Sequence, residues 1–235
     1  MSPTKTMKKI KILIMQTLIV TLVFVGAADL SFAQDTGTDV NALVQETQKM
    51  SKSADEMTIV WWIPEEFWQI SFSQSPNMTP EQAEEFVTVL RPYMIIVAID
   101  GTIGSYGGVT YKPEQTVRES IRLIDKRGTS YPPLNDDQID AGAKDLLATM
   151  KPDFENMLGP MGKNMHFILF PSKNKRGREI VTATKEGHFS VNFGGREFKW
   201  RLPLGSLLPL KTCPIDGEKL NGAWKFCPWH GKKLK

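Results

Sequence analysis

Two short runs of identical form close the chain, Cys213-Pro-Ile-Asp-Gly217 and Cys227-Pro-Trp-His-Gly231, and each is followed three residues later by a leucine, Leu220 or Leu234. In each run proline fixes one backbone dihedral and glycine admits a left-handed one, so both must be tight turns. Each turn offers a thiol first and a second donor three residues on, Asp216 in one and His230 in the other. A stretch of about two dozen residues is too short to build an apolar core of its own, so these four side chains constrain how it is held together.

The opposite end of the chain has the order of an export signal. Lys5, Lys8, Lys9 and Lys11 precede an apolar stretch from Ile12 to Ala28, and Ser31-Phe32-Ala33 supplies the small residues that a signal peptidase reads. Cleavage is expected after Ala33, which makes the protein periplasmic or secreted. An uncleaved N-terminal anchor is the alternative, since the stretch reaches the lower limit of about 17 residues for a membrane span. Removing residues 1–33 takes away four lysines and Asp29, so 29 basic against 26 acidic residues become 25 against 25. The mature chain is then neutral and gives no basic surplus for nucleic acid.

Residues 34–56 are polar and lack aromatics, and are expected to form a linker with a weak helix around Val40–Met50. At Met57 the composition changes to β-branched and aromatic residues, and a globular domain is expected over 57–210. Buried strands are expected at Met57–Ile63, Tyr93–Ile99 and Met165–Phe170, with shorter ones at Val109–Tyr111, Glu119–Asp125, Thr129–Tyr131 and Glu179–Thr182. The clearest alternation runs from His188 to Leu202, turning at Gly194-Gly195. Helices are expected from Pro64, over 80–91 behind the capping box Thr79-Pro-Glu-Gln82, and from Asn135 to Met150, with Pro152 starting or kinking a further stretch. Hairpin-linked strands with a few inserted helices predict an α+β fold, a β-rich sandwich-like domain followed by a small β element at 211–235.

That last element resembles a zinc ribbon in which one cysteine of each knuckle is replaced. The resemblance implies four metal positions, Cys213, Asp216, Cys227 and His230, and Zn²⁺ as the ion, since carboxylate and imidazole are both admissible zinc ligands. Two other readings stand beside it. Two cysteines in an exported chain suit a Cys213–Cys227 disulfide, worth roughly 3 kcal/mol through loop closure. Alternatively the thiols stay reduced without metal and Asp216 and His230 serve the turns. The rest of the chain resembles only uncharacterised exported bacterial proteins, which implies no activity.

No Gly-x-Ser-x-Gly elbow, phosphate loop, His-Glu-x-x-His helix or dinucleotide fingerprint occurs. His166 lies in an apolar strand, His188 begins a hairpin, and Glu65 and Glu66 suit a helix N-terminus without catalysis. Asp100 at an Asp-Gly turn and Asp125 are the acidic candidates. Trp61, Trp62, Phe67 and Trp68 form either a core cluster or an exposed aromatic groove. The expected function is non-enzymatic: a binding or structural protein of the bacterial cell envelope that recognises an envelope protein or ligand. An extracytoplasmic enzyme acting through Asp100 or Asp125, and a membrane-tethered scaffold if the signal is retained, are the alternatives.

Overall fold

The computed structural model describes residues 39–75 and 78–235, so the export segment and its cleavage site lie outside the described residues. The protein has an α+β fold with two larger antiparallel sheets and a third, two-stranded one near the C-terminus. In chain order the elements are α1 (Val40–Thr47), β1 (Gln48–Met50), β2 (Glu56–Ile63), α2 (Glu65–Ser73), α3 (Pro80–Leu90), β3 (Tyr93–Ile103), β4 (Val109–Tyr111), α4 (Glu114–Ser120), β5 (Ile121–Ile124), β6 (Ser130–Tyr131), α5 (Ala141–Leu158), α6 (Pro160–Lys163), β7 (His166–Pro171), β8 (Gly187–Phe193), β9 (Arg196–Leu202), β10 (Lys211–Thr212) and β11 (Lys219–Leu220). Among the described residues no helix is long and apolar enough to cross a membrane.

The first sheet runs β1-β2-β3, and the long β3 is flanked on its far edge by β7 along its first half and by β4 along its last. Every residue from Thr58 to Ile63 is buried because both faces of β2 are covered. On one face Trp61 meets Phe67 of α2 edge to face at 5.4 Å, and α2 and α3 interlock through Trp68, Phe72 and Phe86. On the other face Trp62 meets Phe189 of the second sheet at 4.8 Å. Trp61, Trp62, Phe67 and Trp68 are therefore core, not an exposed groove.

The second sheet, β6-β5-β8-β9, follows the alternation expected from His188 to Leu202. Gly194 and Gly195 both have positive φ, 56° and 79°, as the two-residue turn of a right-twisted hairpin requires. Phe189 and Trp200 are cross-strand partners, and their rings stack at 4.8 Å and 3°.

Several local expectations give way to tertiary packing. Residues 40–50, expected in a linker, form a helix and an edge strand of the domain: Val40, Leu43 and Thr47 are buried, and β1 pairs with β2 from Gln48↔Trp61 to Met50↔Ile59. Thr47 fastens this corner, its Oγ1 accepting from Trp61 Nε1 at 3.1 Å and its carbonyl from Trp200 Nε1 at 2.9 Å. Residues 114–120 are helical, so the strand expected from Glu119 begins only at Ile121. Glu179–Thr182 contributes one isolated bridge, Lys173↔Glu179, in place of a strand. Asp140 caps α5, whose interior accommodates Pro152 within an unbroken run of 18 residues.

Candidate functional site

The C-terminal segment is two copies of one turn. Gly217 N–H donates to the Cys213 carbonyl at 3.0 Å and Gly231 N–H to that of Cys227 at 2.9 Å. Cys213 N–H donates in turn to Glu218 O at 2.9 Å, and Cys227 N–H to Lys232 O at 2.7 Å. Both glycines sit at positive φ, 79° and 60°, which a side chain at those positions would strain. β10 pairs with β11, Phe226 bridges Lys233, and Thr212 N–H donates to Lys235 O at 3.0 Å, which ties the first turn to the end of the second. The apolar content enclosed is small: Cys213, Leu220, Cys227 and Leu234, the two cysteines and the two leucines of the repeat.

Three of the four expected ligands converge. Donor atoms of Cys213, Cys227 and His230 all lie within 4.8 Å of one another and could hold a metal ion. His230 Nδ1 is 3.4 Å from Cys213 Sγ and 3.5 Å from Cys227 Sγ, and the two sulfurs are 3.6 Å apart. Asp216 stands beside this cluster: its Oδ1 accepts from Glu218 N–H at 3.0 Å, and its Oδ2 lies 3.6 Å from His230 Nδ1. The sulfurs are unbonded, so the disulfide expected as an alternative is not formed.

The electrostatics of the cluster are uneven. Desolvation pushes the Cys213 thiol up, and its contacts with Asp216 and Cys227 add to the rise. Cys227 is desolvated too, but the N–H groups of His230 and Trp229, the His230 ring and the Cys213 thiol outweigh this and bring it below the usual thiol range. Asp216 is held low by the Cys213 thiol and by Glu218 N–H.

The other acidic candidates are occupied in structural roles. Asp100 lies within β3 and not in a turn; the strand continues because β4 pairs alongside Gly101, where an added Cβ would meet Val109 Cγ1 at 2.8 Å. The Asp100 side chain is buried, accepting from Thr58 Oγ1 at 3.0 Å and from Lys112 Nζ at 2.6 Å. Arg196 completes this network, donating to Thr58 Oγ1 at 3.4 Å and pairing with Glu56. Asp125 closes the β5–β6 turn. Desolvation raises its carboxyl, but the N–H groups of Thr129 and Arg127 and the Tyr131 hydroxyl hold it below its ordinary value. His166 is a buried residue of β7 whose Nδ1 lies 3.5 Å from Glu114 Oε2.

One feature had no clear signal in the sequence. A cleft of about 290 Å³ lies at the start of α2, lined by Glu65, Glu66, Lys173 and Glu179 over Trp62 and Trp68. Desolvation pushes the Glu66 carboxyl above its ordinary value, and the neighbouring Glu65 and Glu179 add to the rise against the helix N-terminal N–H. Arg91 forks onto Glu65 from α3, leaving Glu66 as the less compensated of the adjacent pair. Glu179 arrives from a loop more than a hundred residues away, so the juxtaposition is tertiary.

No family model matches the chain, and comparisons with curated proteins and with solved structures gave no match either.

Proposed function

We propose that residues 211–235 are a degenerate zinc ribbon binding one structural Zn²⁺ through Cys213, Asp216, Cys227 and His230. We propose further that this element ends a non-enzymatic binding or structural protein of the bacterial cell envelope, exported and cleaved after Ala33. The donor spacing carries the metal reading. Around a tetrahedral zinc with Zn–S about 2.3 Å and Zn–N or Zn–O about 2.0–2.2 Å, the edges between ligand atoms come to about 3.8 Å for two sulfurs, 3.6 Å for sulfur and nitrogen, and 3.4 Å for nitrogen and oxygen. The separations among Cys213, Cys227 and His230, 3.6, 3.4 and 3.5 Å, lie near those values, and Asp216, 3.6 Å from His230 Nδ1, is the nearby carboxylate that would close on the ion as fourth ligand. Four protein ligands would leave no open position for substrate, so the ion's role is to hold two turns together.

Metal analysis of the purified protein, paired with a thiol count after unfolding, tests this reading. One equivalent of zinc with two free thiols is the expected result; metal-free protein, with its thiols either free or joined, overturns it. Mass analysis of the mature N-terminus tests export, and retention of residues 1–33 would turn the reading toward a membrane-tethered scaffold. The second reading, an extracytoplasmic enzyme, is favoured by the cleft that holds Glu66, whose raised carboxyl suits a general acid, whereas Asp100 and Asp125 are taken up by structural hydrogen bonds.

A further inference from the structure

Seven large apolar side chains are exposed among the described residues, and five of them, Leu210, Ile215, Trp224, Phe226 and Trp229, fall within or beside the small C-terminal segment. None belongs to the segment's own core, which consists of the two cysteines and two leucines. Ile215 and Trp229 occupy the same position in the two turns, each two residues after the cysteine, and are 59% and 73% exposed. The ligand cluster brings together the two turns that carry them. Phe226, 59% exposed, forms a backbone bridge with Lys233 across the second turn.

Charge is segregated in the same place. Residues 211–235 contain six lysines against Asp216 and Glu218 and no arginine, whereas residues 34–210 carry 19 basic against 23 acidic residues. Five of the six lysines are exposed, and the sixth, Lys211, donates to the Trp224 carbonyl at 2.7 Å. A segment with a surplus of four positive charges thus follows a stretch with a deficit of four.

We infer that the C-terminal segment is a docking surface for an anionic lipid bilayer, with Ile215, Phe226 and Trp229 entering the headgroup layer and the lysines meeting lipid phosphates. The inference rests on the metal reading in so far as the ion keeps the two turns side by side. Tryptophan settles at the membrane–water boundary, and lysine stems lie along apolar surface while their heads stay in water. Each lysine near an anionic leaflet adds to the attraction. A protein partner fits less well, because protein interfaces deplete lysine and enrich arginine. Single-stranded nucleic acid fits less well too: its bases stack on aromatic faces and arginine, and Leu210 and Ile215 have no face to offer. The acidic remainder of the domain is repelled by the same bilayer, so docking through this end also sets orientation.

The test is co-sedimentation of the chain from Gln34, which keeps every described element and lacks the apolar stretch of residues 12–28 that would itself bind lipid. The zinc-loaded protein is mixed with vesicles of phosphatidylglycerol and phosphatidylcholine, with pure phosphatidylcholine vesicles, and with a single-stranded oligonucleotide. Binding to the anionic vesicles should be at least about ten-fold tighter than to neutral ones and should weaken as salt rises. Phe226→Ala with Trp229→Ala, which leaves the four core side chains intact, should reduce it about ten-fold with zinc content unchanged, and Lys232→Glu with Lys233→Glu should do the same. Zinc-loaded protein that stays in the supernatant, that binds the anionic vesicles no more tightly than either zinc-loaded double variant does, or that prefers the oligonucleotide overturns the inference and leaves the metal reading standing. Protein that carries no zinc fails the metal reading first, and is distinguished by metal analysis of the same sample.

Discussion

The domain encloses Trp61, Trp62, Trp68, Phe189 and Trp200 in a continuous core that spans two sheets, whereas the segment after Lys211 encloses two leucines and two cysteines. Burying a large apolar side chain stabilises a fold by about 1.5–3 kcal/mol, so the first region can stand on area alone. The second cannot, and its backbone bonds repeat turn for turn around a set of donor atoms. Size separates the two solutions. A region able to cover both faces of a strand needs no cross-link, and one too small for that must find its stability in a few directional contacts.

On the zinc reading proposed above, metal removal tests this contrast most severely. Chelation should melt residues 211–235, with a local loss of hydrogen-exchange protection of up to about 10 kcal/mol, reduced by the carboxylate ligand, while the urea midpoint of the domain stays put. A domain that unfolds together with the segment would break the comparison. Trp200→Ala attacks the other side: it removes the ring stacked on Phe189 and the donor to Thr47, and should cost about 3–5 kcal/mol in urea unfolding with zinc content unchanged. Asp100→Ala sharpens the picture within the domain. It leaves Thr58 without its acceptor and Lys112 without its partner, a loss of about 1–3 kcal/mol by the same assay; the side chain of Lys112 is 43% exposed, and water limits the cost.

The smallest effect is one of pH. The contact with His166 outweighs desolvation and holds the Glu114 carboxyl below its ordinary value of 4.5. A carboxyl depressed in the folded state adds stability above its unfolded value and loses it as pH falls through the folded one. Stability should therefore drop along an acid limb below about pH 4.5, and Glu114→Gln should flatten that limb in urea midpoints measured from pH 6 downward.

Much of the domain was legible where local pattern and burial agree. Phe189, Val191 and Phe193 alternate against Phe198, Trp200 and Leu202, and the hairpin forms in that register. Thr79 and Gln82 cap α3 as their spacing implies. Misreadings arose where a distant partner decides. Val40, Leu43, Val44 and Thr47 carry a helical period that looked too small to be fixed, and the indole groups of Trp61 and Trp200 supply the anchorage. Asp100-Gly101 has turn chemistry, yet β4 and Lys112 hold it as strand. At the C-terminus Cys213, Cys227 and His230 were legible because duplication is written into the chain itself, while the Glu66 cleft depends on Glu179 and had no local mark.

Glu46 of α1 accepts from the backbone N–H groups of Gly205 and Ser206 at 2.8 and 2.9 Å, and Gly205 lies so close to Asn221 that a Cβ there would come within 1.8 Å of its side chain. The earliest described helix is thus fastened to the turn on which the last segment rests. During synthesis from the N-terminus, α1 must wait for some 160 further residues before these acceptors meet their donors. With its earliest described helix anchored by residues near the last segment, the described domain completes its packing only when almost all of it has been made.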